Sequence, residues 1–247
     1  MLVSRVVAAL RRFAWRGAAA PRNVLLTPSG ARFLGDGLPG GNPGDERAAD
    51  LAVALAACAQ LLAPERGRRI RIVLSDLWVR YCLIQTDAAA SLADDELLAL
   101  ARGQLSRQHP DTAGWPLRVA LQGDALLAAA CRPDVVEALQ ALADKSGVCL
   151  AGIEPLFSYL VDGAAPAQGW LLLEEPGLLV GALVGAGGII ALHSARLDDD
   201  AGATALRLLD RQAALLGAAA GEVRLFSGSA RPLALPPPWR IGSLTRF

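Results

Sequence analysis

A chain of 247 residues is long enough for one large domain or two modest ones, with ample core. Its 24 basic and 24 acidic side chains cancel, and nothing in that balance asks for nucleic acid as a partner. The longest apolar run, residues 178–192, is broken by four glycines and falls short of the roughly 20 residues a membrane-spanning helix needs.

Residues 1–16, MLVSRVVAALRRFAWR, show a stripe of Leu2, Val3, Val6, Val7, Leu10 and Phe13 at helical spacing. Arg5, Arg12 and Arg16 lie opposite, with Arg11 at the flank and Trp15 near the end. Two readings fit this segment: a helix lying on an anionic membrane surface, or a terminal helix packed on the body. Arg11 and Arg12 break the apolar run, so it does not read as a secretory signal, and a cytoplasmic protein is expected.

Residues 23–34 predict a hairpin, NVLL and ARFL around Thr27-Pro28-Ser29-Gly30. A glycine-rich loop spans 35–44, and a helix starts at Asp45 or Asp50 and runs to about Leu62. Strands follow over 68–74 and 78–85, with Ser75-Asp76 as the turn between them. Ser91 and Asp94 carry an S-x-x-D capping signature for a helix to about Arg107, closed by His109-Pro110. Strands over 117–122 and 125–131 flank a Gly123-Asp124 turn. A helix opened by Pro133 stops at Gly147, and a strand covers 148–153. Residues 156–161 form a short helical crossover.

The second half predicts a meander with strands at 170–174, 178–184 and 189–194. Glu175-Pro176-Gly177 and residues 185–188 make its turns. Asp198–Asp200 cap a helix over 201–216, which Gly217 or Gly221 stops, and a strand covers 222–226. After Phe226 the prolines at 232, 236, 237 and 238 predict an irregular tail, pinned to the body at 239–241.

Motifs for chemistry are sparse. Lys145 is the only lysine and lacks a P-loop around it, and no G-x-S-x-G elbow occurs. Cys58, Cys82, Cys131 and Cys149 have no metal-clip spacing, and only His109 and His193 could assist, so no metal site is expected. Four buried thiols in a reducing compartment are expected instead. The arginines at 66, 68, 69 and 71 read either as an anion site or as a charged strand edge.

The halves look related: each has a hairpin or meander, then a helix and a further strand, and the first carries an inserted α-β-β-α-β unit. RIRIVLSDLWVRYCLIQTDA, LADDELLALARGQLSRQ, the stretch from Arg118 to Leu160, and WLLLEEPGLLVGALV carry the pattern. This resembles the actin-like (ASKHA, ribonuclease H-like) two-lobed α/β fold, in particular the family of PilM of type IV pilus assembly and the cytoplasmic domain of GspL of type II secretion. The resemblance implies a helix and connector over 1–22, a first lobe over 23–90, an inserted subdomain over 91–153, and a second lobe and tail over 154–247. It implies a non-catalytic scaffold, without cofactor, peripheral to the inner membrane. Its partners would be a PilN-like cytoplasmic tail and the assembly ATPase. Departures from nucleotide-binding relatives support that reading. The first turn, Thr27 to Gly30, has no acid; the second has Glu174 and Gly177 in altered spacing; Ser227-Gly228-Ser229 stands where a glycine pair would lie under adenosine. The alternative is an ATP-binding protein or ATPase with a degenerate site at Glu174, Gly177 and Gly228.

Overall fold

In the computed structural model, the described residues are 20–34, 51–86, 91–122, 125–163, 168–197, 200–228 and 233–246. The expected helix with Arg5, Arg11, Arg12, Trp15 and Arg16 lies outside them. So do the 35–44 loop, the Asp45 and Asp50 helix starts, Gly123-Asp124, Asp198-Asp199 and Ser229.

Three sheets organise the described residues. The first has strands β1 (Arg22–Thr27), β2 (Gly30–Phe33), β3 (Arg69–Leu74) and β7 (Cys149–Pro155), in the order β2-β1-β3-β7. β1, β3 and β7 are parallel, and β2 returns antiparallel through the Pro28-Ser29 turn. Helices α1 (Leu51–Leu62) and α3 (Pro133–Ser146) cover one face, packing Ala54, Cys58, Val135 and Leu139 onto Val24, Ile70 and Ile72. Gly147 ends α3 at φ 67°, a left-handed conformation that suits glycine.

The second sheet contains β8 (Gly169–Glu175), β9 (Leu178–Gly185), β10 (Gly188–Arg196), β11 (Glu222–Ser227) and β12 (Arg240–Arg246), in the order β10-β9-β8-β11-β12. β8 is buried on both faces, and its period of two decides which side chain goes where. Trp170 and Leu172 meet helix α5 (Ala201–Leu216), while Leu171 and Leu173 face the first sheet. Between the sheets runs helix α4 (Leu156–Gly163), whose Leu156 and Phe157 join Leu25 and Val73 in one cluster with Leu173 and Val180. Full burial of one such side chain stabilises by about 1.5–3 kcal/mol. That shared cluster holds the lobes together.

The third sheet, in the order β4-β6-β5, consists of β4 (Val79–Gln85), β5 (Leu117–Gln122) and β6 (Ala125–Cys131). Helix α2 (Asp94–Gln108) covers it through Leu97, Ala101 and Leu105. Strand pairing divides the chain differently from the expected 91–153 block. β4 pairs along its length with β6, so it belongs to the inserted unit. β7 pairs with β3 and α3 packs on the first sheet, so both belong to the first lobe. The reason is burial: Val135, Leu139 and Ala143 of α3 fit the face of β1 and β3.

Three local expectations are corrected. The tail is not wholly irregular, because residues 240–246 form β12, parallel to β11. Its pairing with β11 satisfies one backbone edge, and Trp239 anchors it by donating to Asp210 at 2.6 Å and packing edge-on to Trp170. Helix α2 begins at Asp94 with Ala93 as its cap residue, and Glu96 accepts the Ala93 amide at 2.8 Å. Cys149 is exposed because β7 is an edge strand; Cys58 and Cys82 are buried and Cys131 partly so. Burial pushes those three thiols up to about 11.

Candidate functional site

The parallel strands β1, β3 and β7 of one lobe and β8 and β11 of the other end at the same junction, the usual place for function in open α/β sheets. Four polar residues at these ends are almost wholly buried: Ser75, Asp76, Glu174 and Glu175, with Ser227 beside them. The sequence pattern predicts only a turn at Ser75-Asp76. The residues instead open a short 3-10 turn (Asp76–Trp78) that Ser75 caps by accepting the Leu77 amide. A signal existed in an acid two residues after the strand RIRIVL, but its partner lies 99 residues away.

Glu175 ends β8 and accepts the Asp76 amide at 2.8 Å through Oε2. Ser75 also donates to it. The Asp76 carboxylate accepts the Tyr81 hydroxyl at 2.6 Å and the Phe157 amide at 3.0 Å. The Leu156 amide is a further donor to it. Burial raises both acids, Glu175 to about 7 and Asp76 well above its usual range, and the charge of Glu175 adds to the rise at Asp76. Tyr81 is likewise raised, by burial first and then by Asp76.

Glu174 points to the other face of β8, as the strand period requires. Its Oε2 accepts the Ser227 hydroxyl at 2.7 Å and the Leu233 amide at 3.3 Å, and its carbonyl accepts the Gly228 amide at 3.1 Å. The structure thus brings Glu174 and Gly228 together, with Gly177 in the adjoining β8–β9 turn. Gly177 has φ 76° and open space where a Cβ would stand, so the turn demands glycine and no close approach does. Both glutamates are engaged by protein donors.

Arg68 pairs with Glu65 and Arg71 with Glu154, each at 3.4 Å. His193 lies on edge strand β10, held below its usual pKa by partial burial and then by Arg211. His109 closes α2, with its amide bonded to the Leu105 carbonyl. No group of metal-ligating side chains occurs among the described residues. Nor is any of their helices long and apolar enough to cross a membrane. A second surface feature was not legible in the sequence. The inserted unit carries an apolar groove of about 160 Å³ between α2 and its sheet, lined by Leu97, Leu98, Val119, Leu121 and Leu126, with Asp94 at its polar end.

No protein-family model matches the sequence, and no curated protein sequence does. Solved structures do match in fold. The cytoplasmic domain of EpsL, an inner membrane component of the type II secretion system of Vibrio cholerae, gives a TM-score of 0.54 at 12% identity, covering 79% of this chain and 76% of that one. A chain of the PilM–PilN type IV pilus biogenesis complex gives 0.54 at 17% identity, covering 85% and 80%. A Bacteroides thetaiotaomicron protein of unknown function with an actin-like ATPase fold gives 0.53 at 8% identity, covering 84% and 80%. The expected likeness to PilM and to a GspL-type cytoplasmic domain is therefore present as a likeness of fold, and this chain has the actin-like fold.

Proposed function

We propose that the chain is a non-catalytic cytoplasmic scaffold of a type IV pilus or type II secretion-like inner-membrane platform, binding the cytoplasmic tail of a PilN-like membrane partner. The observation that carries this reading is the fold shared, over more than three quarters of the chain, with EpsL and with a chain of the PilM–PilN complex. The junction supports it, because carboxylates that could serve a nucleotide are engaged within the protein. The groove on the inserted unit offers the tail an apolar foothold, and burying one Leu-sized side chain there contributes about 1.5–3 kcal/mol. The basic segment 1–16 adds attraction to anionic lipid, about 1 kcal/mol per Arg near the surface. Contact with the assembly ATPase is the remaining partner in this reading.

The test is calorimetric titration of the full chain with synthetic peptides covering the cytoplasmic tails of the pilus and secretion membrane proteins of the same organism. At least one peptide is expected to bind with a micromolar Kd. Leu98 is 37% exposed, so Leu98→Glu leaves the core intact. It is expected to weaken that binding at least tenfold. Silence from every peptide would sink the scaffold reading; binding unaffected by Leu98→Glu would move the site elsewhere.

A further inference from the structure

At the junction, the Glu175 carboxyl of the second lobe accepts hydrogen bonds from two groups of the first, the Ser75 hydroxyl and the Asp76 amide. The Asp76 amide of the first lobe donates to Glu175 Oε2 of the second at 2.8 Å, in a spot where both residues are 1% exposed. Oε1 of the same carboxyl is buried and has no hydrogen-bond partner among the described residues. An ionised carboxylate in that position would leave one charged oxygen both dry and unpaired, which costs far more than a neutral carboxyl does.

The neighbours sharpen the asymmetry. Asp76 has three donors: Tyr81 on β4, and the Leu156 and Phe157 amides at the start of α4. Ser158 supports Tyr81 in turn by a side-chain hydrogen bond. Among the described residues, Glu175 has Ser75 and the Asp76 amide. Cys131 on β6 faces Tyr81 and Asp76. Glu174 turns away to Ser227 and Leu233. None of the groups acting on the pair is a cation. Two acids in one dry site cannot both ionise without repulsion, so the pair keeps one proton. Glu175 is the first to ionise, and its charge holds the Asp76 carboxyl protonated well above the usual range.

We propose that Glu175 is a proton-operated latch between the lobes: protonated, it holds the Asp76 amide and keeps the junction shut; ionised, it draws water in and lets the lobes part. Opening exposes Glu175 to solvent and returns it to ordinary carboxylate behaviour. A group whose pKa is higher in the closed state stabilises that state fully below its open-state pKa, near 4.5. The stabilisation is lost as pH rises through the closed-state value, about 7. The junction is therefore tight in acid and loosens across neutrality. This reading is independent of which partner the scaffold binds.

Backbone hydrogen exchange of the full chain tests it, with the Asp76 amide as reporter and the β11 amides as internal reference. After correction for the intrinsic pH dependence of exchange, protection at Asp76 is expected to fall about tenfold between pH 6 and pH 8.5. Protection in β11 is expected to stay constant over that range. Glu175→Gln keeps the acceptor oxygen and removes the titration, so its Asp76 protection is expected to be flat. A flat wild-type profile overturns the latch, as does an equal fall in Glu175→Gln. Parallel loss in β11 would also overturn it, because the event would then be global unfolding. The wild-type titration decides the matter even if the variant folds poorly.

Discussion

Two adjacent glutamates show how much one bond of chain direction decides. Glu174 and Glu175 stand next to each other at the end of β8, yet the period of two sends one to the C-terminal segment of its own lobe and the other to the opposite lobe. Glu174 is structural by its contacts: it accepts the buried Ser227 hydroxyl and the Leu233 amide. Glu174→Ala would strand both donors, and leaving buried donors unpaired costs about 1–3 kcal/mol. At about 2–4 °C per kcal/mol for a chain of this size, Tm is expected to fall by roughly 2–12 °C in a thermal melt. An unchanged Tm would mean that water or another acceptor replaces the carboxylate. The alternative ATP-binding reading makes Glu174 a nucleotide ligand. Residue type and strand end were visible there, but the donors that occupy the side chain lie 53 and 59 residues away.

Among the elements, the β9–β10 hairpin carries the sharpest geometric demand. Gly188 sits at φ 128°, and a Cβ there would stand 2.9 Å from the Gln122 backbone at the end of β5. The second lobe thus meets the inserted unit through a glycine, main chain against main chain. Gly188→Ala combines backbone strain with a clash that no side-chain rotation relieves, so a loss of about 2 kcal/mol or more is expected. Gly187, one residue earlier, has nothing within 4 Å of a Cβ, and Gly187→Ala is expected to be near neutral. Denaturant midpoints of the two variants provide the comparison; equal midpoints would show that the inserted unit does not press on the hairpin. Strong local patterns made several elements legible. Helix α5 has the expected bounds, because Asp200 caps it by accepting the Ala203 amide and Gly217 ends it in the left-handed region. Strand β12 was not legible. RIGSLTR lacks an apolar alternation, and the pairing that makes it a strand is supplied by β11.

For the molecule as a whole, the fold likeness and the junction chemistry point in different directions, and a single measurement weighs them. One structural neighbour is described as having an actin-like ATPase fold. At this junction Glu174 and Glu175 are engaged by protein donors. Millimolar Mg-ATP is therefore expected to leave Tm unchanged. A ligand at 100 times its Kd would add about 2.7 kcal/mol, or roughly 5–10 °C at this size. A shift of that order would overturn the non-catalytic reading and restore Glu174, Gly177 and Gly228 as candidates.

What local chemistry determined was the list of elements, their order, most of their ends and the doubled pattern of the two halves. Periodicity, caps and turn residues act within a few positions, so a single chain displays them. What only the tertiary structure decided was the company each element keeps. It put β4 with the inserted sheet and β7 with the first, and it seated α4 between two sheets. It also brought Asp76 to Glu175 across the junction. Those choices rest on which apolar faces and unpaired polar groups satisfy one another at separations of tens of residues. No local pattern encodes that complementarity.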